Sequence, residues 1–139
     1  MKYLCLGFHD EQRVRAMGED ERRALVEECR EYDAMLWRNG YCLKGNALPP
    51  AAGAITLRFD HGKVCVIEGP FAQTKEQLGG ILLLEAKDLN HAIQLMSQLP
   101  AMRVGGALEI RPVDEPVGPA SADAITPDGG TIPSAEADR

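Results

Sequence analysis

Two stretches of the chain are apolar without interruption, which is the pattern of a strand covered on both faces. They are residues 3–8 (YLCLGF) and residues 81–84 (ILLL). Residues 55–59 (ITLRF) and 108–113 (LEIRPV) alternate apolar and polar positions instead, which predicts strands with one buried face. We therefore expect the first two strands to lie at the centre of a sheet.

Two other segments repeat apolar residues at the three- and four-residue spacing of an amphipathic helix. The first spans residues 18–39, with Gly18 as the N-cap and Gly40 as the stop signal. Its predicted inner face is Leu25, Val26, Cys29, Tyr32, Leu36 and Trp37. The second begins after Asp88, a residue type that is favoured as an N-cap. Its predicted inner face is Leu89, Ala92, Ile93, Met96 and Leu99.

The remaining segments are shorter. Residues 64–67 follow a turn at residues 60–62 and are predicted to form a hairpin with residues 55–59. Residues 41–48 are an extended piece that ends at two prolines, and we interpret them as an addition to the fold. Thr74 with Gln77 is predicted to cap one short helical turn.

The element order is thus β-α-β-β-β-α-β, which predicts an α+β fold of the ferredoxin-like βαββαβ kind with an antiparallel sheet. Two helices cover only one face of such a sheet. The central strands are apolar on their other face as well, so that face needs a cover of its own. A second copy of the chain, packed sheet on sheet, is the simplest cover, and we expect a homodimer.

Charge and composition separate the chain into a domain and a tail. Residues 114–139 contain six acids and one base, a net of −5 out of −6 for the whole chain, with four of the nine prolines and no aromatic residue. We predict a folded domain over residues 1–113 and an acidic, Pro/Gly/Ala-rich disordered tail over 114–139. The domain has no basic patch, so we expect no nucleic-acid partner. The apolar start is too short for a signal peptide or a membrane span, which favours a cytoplasmic protein without a membrane partner.

Metal and cofactor motifs are absent from the sequence. No two of the four cysteines have C-x-x-C spacing, and the three histidines are scattered. We therefore interpret the cysteines as reduced, buried thiols and predict no metal site. No phosphate-binding loop or dinucleotide fingerprint occurs, and we expect no cofactor.

Residues 68–71 (EGPF), continued by AQTKEQLGG, resemble the motif of the YCII-related family that carries the sequence DGPF. The start MKYLCLGFHDE, GNALPP at 45–50 and LEIRPV at 108–113 match as well, so the resemblance covers residues 1–113. It implies a dimeric α+β barrel but no settled activity. Members of the DGPF branch are often encoded beside extracytoplasmic-function sigma factors. Glu68 stands where the family usually has Asp, one methylene longer.

Candidate chemistry begins where the first central strand ends. His9 and Asp10 follow that strand and could serve as a general acid and base, although a lone exposed histidine more often has no role. The loop over residues 68–80 ends in Gly79 and Gly80, where a ligand could approach the backbone. The motif also has a structural explanation, in which Gly69 permits an unusual backbone angle, Pro70 fixes φ and Phe71 holds the loop to the core.

The predicted ligand-binding residues are Glu68, Phe71, Lys75, Gly79, Gly80, Arg103, Glu109 and Arg111. Glu109 and Arg111 are expected on the sheet face opposite the helices, with Arg103 close enough to join them. They form either a polar site in a cavity between two sheets or an ion pair at its rim. Arg binds carboxylates and phosphates through two parallel hydrogen bonds, so a small anion is the expected ligand.

Three functions remain open from the sequence. The first is a small-molecule-binding domain, with regulation as one role. The second is an acid–base enzyme that acts on a small anionic substrate. The third is a structural or protein-interaction dimer linked to sigma-factor regulation. The motif and the pattern of elements do not choose among them.

Overall fold

The computed structural model describes residues 1–114, so the predicted tail lies outside the described residues, apart from Asp114. In chain order, the elements are β1 (Lys2–Asp10), α1 (Glu11–Arg15), α2 (Glu19–Arg38), β2 (Cys42–Ala47), β3 (Ile55–Asp60), β4 (Lys63–Glu68), β5 (Glu76–Glu85), α3 (Leu89–Ser97) and β6 (Ala107–Pro112). Two short 3-10 helices, Ala51–Gly53 and Pro100–Val104, lie in the connections before β3 and β6.

Four strands form one antiparallel sheet in the order β2-β5-β1-β6. The chain runs β1-α2-β2 and then β5-α3-β6, so two βαβ-like halves interleave, which is the ferredoxin-like arrangement. The two fully apolar strands, β1 and β5, are the central ones, as the hydrophobic pattern predicts. The predicted α+β fold class is confirmed.

The membership of the sheet differs from the prediction in one respect. Residues 41–48 are no addition, because β2 is the edge strand of the sheet and pairs with β5 from Cys42 opposite Leu84 to Ala47 opposite Gly80. The hairpin of β3 and β4 is the added part and forms a separate two-stranded sheet. The local sequence pattern misses this because the edge strand β2 buries few side chains and so lacks an apolar pattern. The hairpin is rich in apolar residues and therefore resembles a pair of sheet strands.

The predicted helical turn at Thr74 and Gln77 is also wrong. Residue 74 lies in a loop and Gln77 lies in β5, which begins at Glu76 and is longer than its apolar run suggests. The early residues of β5 pair with the end of β1, with Gln77 opposite His9. Long-range pairing therefore overrides the local capping pattern.

Helices α2 and α3 cover one face of the sheet and form the core with it. The buried residues are Tyr3, Cys5, Leu36, Leu84, Ala86, Ala92, Leu95 and Met96. The hydroxyl of Tyr32 on α2 donates a hydrogen bond to the carbonyl of Leu95 on α3, which joins the two helices across the core. The apolar side chains of β1 and β5 that face the helices thus have the cover that the sequence predicts.

The helix faces are rotated slightly from the predicted ones. On α3, Leu95 is buried, while Leu89 and Ile93 are about half exposed. On α2, Leu36 is fully buried, but the neighbouring Trp37 is 63% exposed. A helix meets a twisted sheet along a narrow contact, so residues at the margin of an apolar stripe remain outside it.

The helix ends follow the expected capping chemistry. Asp88 accepts a hydrogen bond from the amide of His91 at 2.8 Å, as an N-cap does. Gly40 has φ of 74°, the left-handed conformation expected after a helix C-terminus. The short helix α1, which the sequence pattern did not predict, begins after Asp10, whose Oδ1 accepts from the amide of Gln12 at 3.0 Å.

The second face of the sheet carries no helix. Register places Leu4 opposite Leu83 and Leu6 opposite Ile81, on the side away from buried Tyr3 and Leu84. We call these four apolar residues the open face. No helix within residues 1–114 has the length and the hydropathy that crossing a membrane requires.

Candidate functional site

A concave groove lies beside the open face, between the hairpin and the rest of the domain. Strand β3 forms one wall, the segment 48–54 and residues 70–78, which lead from the Gly69 turn into β5, form the others, and Phe8 also lines the groove. Its volume is about 960 Å³. The apolar lining includes Leu48, Ile55, Leu57, Phe71 and Leu78, and the polar lining includes Arg58, Thr74, Glu76 and Gln77. We call this space the hairpin groove.

The Gly-Pro-Phe turn fixes the loop to strand β3. Gly69 has φ of 103°, a conformation that side chains rarely adopt, which confirms the predicted role of this glycine. Its amide donates to the carbonyl of Ala54 at 2.7 Å, and its carbonyl accepts from Thr56 Oγ1 at 2.8 Å. The partners in both hydrogen bonds, Ala54 and Thr56, lie at or next to the start of β3. Exposed Glu68 makes no ion pair within residues 1–114, so a carboxylate is not what holds this turn.

Phe71 lines the groove instead of holding the loop to the core. Its side chain is 73% exposed, so the predicted core anchor is wrong. The guanidinium carbon of Arg58 lies 5.3 Å from the centre of the Phe71 ring, within the range of a cation–π interaction. Arg58 is the functional candidate that the sequence reasoning missed. Its position in an alternating strand marked it as outward-facing, but only the loop contact shows what it faces.

Gln77 organises the loop that closes the groove. Its side-chain amide donates to the carbonyls of Ala72 at 2.7 Å and Thr74 at 2.8 Å. The hydroxyl of Thr74 donates in turn to the carbonyl of Glu76 at 2.7 Å. One strand residue thus satisfies two loop carbonyls, which keeps the loop at a fixed distance from β5.

His9 and Asp10 lie at the end of β1, next to the groove. The imidazole of His9 occupies the space above Gly79, and it lines neither the groove nor the smaller recess beside it. That recess, of about 320 Å³, is lined by Asp10, Glu11, Gln12, Thr74, Lys75 and Gln77. The Nζ of Lys75 lies 3.7 Å from Oδ2 of Asp10, whose side chain is only 18% exposed. Thr74 and Gln77 belong to both spaces, so the recess adjoins the groove.

A second contact ties α1 to the groove wall. The Oε1 atom of Glu11 accepts a hydrogen bond from the amide of Ala51 at 2.7 Å. Ala51 begins the short 3-10 helix that leads into β3. The end of β1 and the start of the hairpin are therefore linked through one carboxylate.

The other predicted residues lie elsewhere. The structure places Glu109 and Arg111 on the open-face side of β6, 3.8 Å apart, with both side chains at least half exposed. Arg103 forms an ion pair with Glu28 of α2, on the helix side, and does not join them. Gly80 lies within the sheet between Gly7 and Ala47. The predicted set is thus divided among the groove region, the open face and the helix layer.

The environments of Cys5, Cys29 and Cys42 disfavour a reactive thiolate. Burial raises the pKa of the Cys5 thiol to about 11, with a further contribution from Cys42. Burial also raises the pKa of Cys29 and Cys42, and the charge of Asp33 acts in the same direction on both. Thiolates are thus disfavoured at these three positions. No group of three or more metal-ligating side chains within residues 1–114 could hold a metal ion.

The sheet order and the one-sided helix layer define the class as a ferredoxin-like α+β domain. Residues 1–115 match the model of the YCII-related domain, so the chain belongs to the YCII-related family. An uncharacterized protein of Rhizobium meliloti (strain 1021) is 31% identical over 114 residues, which cover 81% of this chain and 92% of that protein.

A solved structure with similarity to this chain is the 5-chloro-2-hydroxyhydroquinone dehydrochlorinase TftG from Burkholderia phenoliruptrix AC1100, in complex with 2,5-dihydroxybenzoquinone. The identity is 13% and the TM-score is 0.48. The match covers 83% of this chain and 95% of that chain.

Proposed function

We propose that this protein is a small-molecule-binding domain whose ligand occupies the hairpin groove. The observation that supports the proposal is the groove itself, a space of about 960 Å³ with a mainly apolar lining and a few polar side chains. Ligand sites have this composition and fall in a range of roughly 300–1,000 Å³. The loop over residues 70–75 is held by Gln77 of β5 and by the Gly69 turn, so the walls are already formed.

The preferred ligand is a small anion with an apolar or aromatic body. Arg58 is the cation of the groove lining, and its planar guanidinium matches a carboxylate. Phe71 and Phe8 offer aromatic surface to the rest of the molecule. This assigns to Arg58 the role that the sequence analysis gives to Arg111.

Benzoate and benzyl alcohol are the matched probes for this proposal, because they share a ring and differ in charge. In a titration followed by amide shifts, benzoate should perturb residues 54–58 and 70–78 and bind more tightly than the alcohol. Arg58→Gln should remove that difference, while Arg111→Gln should leave it. Shifts that cluster on β6, or the absence of saturable binding by either probe, would contradict the proposal.

An acid–base enzyme is the second candidate, and one contact favours it. Asp10 is largely buried, pairs with Lys75 and lines the recess that adjoins the groove. A bound molecule that extends from the groove into the recess would meet this carboxylate. His9 lies against Gly79 and outside both spaces, so catalysis by His9 requires its ring to move. The geometry supports binding ahead of catalysis.

We also propose that the working unit is a homodimer, in the cytoplasm, that covers the open face. Leu4, Leu6, Ile81 and Leu83 form a contiguous apolar surface at the middle of a sheet with helices on its other side. A sheet face of this kind packs against another sheet. Sedimentation velocity at micromolar concentration should give the mass of two chains, and a monomer would contradict this part of the proposal.

A further inference from the structure

The hairpin of β3 and β4 carries a second apolar surface that its own domain does not cover. Cross-strand pairs place Leu57 opposite Val66 and Phe59 opposite Val64 on one face, beside Ile55 opposite Glu68. The side chains of Leu57, Phe59 and Val66 are 64%, 75% and 68% exposed. We call Ile55, Leu57, Phe59, Val64 and Val66 the arm face.

The arm face is not required by the fold around it. The hairpin belongs to no larger sheet within residues 1–114. Its attachments are at its base, through the hydrogen bonds of Gly69 with Ala54 and Thr56, and on its other face, through the contact of Arg58 with Phe71. A two-stranded hairpin is marginally stable in water unless one face is packed. Apolar residues at five alternating positions therefore indicate a partner surface.

We propose that the hairpin is a dimerisation arm that lies across the open face of a second copy, so that each hairpin groove is closed by the partner subunit. The proposal builds on the homodimer proposed above and adds which segment makes it. It is reciprocal, because in a two-fold dimer each copy gives one arm and receives one.

Dimensions favour a second copy as the occupant. Ile55, Leu57 and Phe59 alternate along β3 over about 13 Å. On β1, Leu4, Leu6 and Phe8 alternate over the same number of residues. The row of arm-face residues on β3 and the row formed by the open-face residues Leu4 and Leu6 with Phe8 are therefore of equal length, and in the described chain neither covers the other.

Charge is complementary as well. Register places Lys44 opposite Leu83 on the β2 edge of the open face, while on the β6 edge Arg111, opposite Leu4, is paired with Glu109. Glu68 adjoins the arm face on the same side of the hairpin, opposite Ile55, and its carboxylate makes no ion pair in the described chain. An arm laid across the open face with Glu68 toward β2 brings this acid to Lys44.

The consequence for the site is that it is shared between subunits. The groove is lined by Phe8, which follows the open-face residues Leu4 and Leu6 along β1, and on its β3 wall by residues that include Ile55 and Leu57 of the arm face. When the arm packs on the partner subunit, β3 is held in place and the partner subunit covers the groove. Ligand binding in the groove should therefore depend on protein concentration in the same range as dimerisation.

Val66 and Ile67 are a matched pair for the test, because they are neighbours on β4, both exposed, and on opposite faces of the hairpin. In sedimentation velocity, Val66→Asp should raise the dimer dissociation constant at least tenfold, while Ile67→Asp should leave it within about threefold. Equal effects of the two substitutions, or a Val66→Asp dimer as tight as wild type, would overturn the arm.

A cross-link provides the second readout, independent of stability. Leu57→Cys in one tagged copy and Leu83→Cys in another should form a disulfide-linked heterodimer on mixing and oxidation, whereas Ile67→Cys with Leu83→Cys should not. Each is made with Cys65→Ser, since Cys65 lies on the hairpin. If wild type is a dimer but the disulfide between positions 57 and 83 does not form, the proposed arm is wrong and the homodimer stands. If wild type is a monomer, both the arm and the homodimer are wrong.

Discussion

The imidazole of His9 fills the space into which a side chain at Gly79 would project. Gly79 lies at an irregularity in the pairing of β1 with β5, where Gly7 is opposite Gly80 and Phe8 is opposite Leu78. Its carbonyl accepts a hydrogen bond from the amide of Leu48 at 2.9 Å, which fixes the segment that enters the groove wall. The position of His9 thus depends on the missing Cβ of Gly79, and the backbone carbonyl of the same residue holds the segment that leads into the groove wall.

Gly79→Ala should displace His9 and destabilise the protein by about 1–3 kcal/mol, as overpacking does. Gly80→Ala is the control, because the nearest atom to a Cβ there is the carbonyl oxygen of Asn46 at an ordinary 3.6 Å. Chemical denaturation gives the free energies of unfolding, and the His9 ring resonances show the displacement. Equal effects at both glycines would show that the ring does not fill this space.

Leu36→Ala should lower the free energy of unfolding by about 2–5 kcal/mol, because the side chain is fully buried in the core and leaves a cavity. Trp37→Ala removes a larger side chain from the next position, but Trp37 is mostly exposed. A change within about 0.5 kcal/mol is expected there. Thermal or denaturant unfolding compares the two, and a larger loss at Trp37 would indicate that this side chain is covered in the assembled protein.

Asp10→Ala should cost about 1 kcal/mol, because the residue caps α1 by accepting from the amide of Gln12. Asp10→Asn keeps an acceptor at the same place and should restore most of the loss. Lys75→Ala should change stability by about 0–1 kcal/mol, since its side chain is 82% exposed and its Nζ lies 3.7 Å from Oδ2 of Asp10. If Asp10→Asn is as destabilising as Asp10→Ala, the charge pair outweighs the cap.

The Cys5 thiol should add a pH dependence to stability in the alkaline range. Burial raises its pKa from 9.0 to about 11, so the folded state holds the proton more tightly than the unfolded state does. The stabilisation of the folded state by the protonated Cys5 thiol is therefore complete below pH 9 and is lost as the pH rises through 11. The difference in free energy of unfolding between wild type and Cys5→Ala should shrink over that interval. A difference that stays constant would show that the thiol titrates normally in the folded protein.

Much of the architecture follows from the sequence because it depends on local composition. Two strands that are apolar on both faces must be central, which places β1 and β5 correctly. Asp88 and Gly40 mark helix ends through chemistry that involves only neighbouring residues. Gly69 likewise signals its backbone conformation by its residue type.

The candidate site is less predictable, because it depends on which distant segments meet. That Asp10, Lys75 and the Gly69 loop lie in one region follows from the antiparallel pairing of β1 with β5, and the sequence predicted that convergence. The separation of Arg103 and Arg111 from it could not be read from the chain, since an ion pair such as Arg103 with Glu28 joins residues far apart in sequence.

The sequence by itself determined the two long helices α2 and α3, the central strands, the family motif and the expectation of a sheet face without helices. Each is a property of residue types at short spacing. Only the tertiary structure decided that β2 belongs to the sheet, that the hairpin lies outside it, and that Arg58 and Phe71 meet in a groove. Strand pairing is a competition between distant segments for the same hydrogen-bonding edge, so its outcome is set by the packing of the whole domain and by no single stretch of the chain.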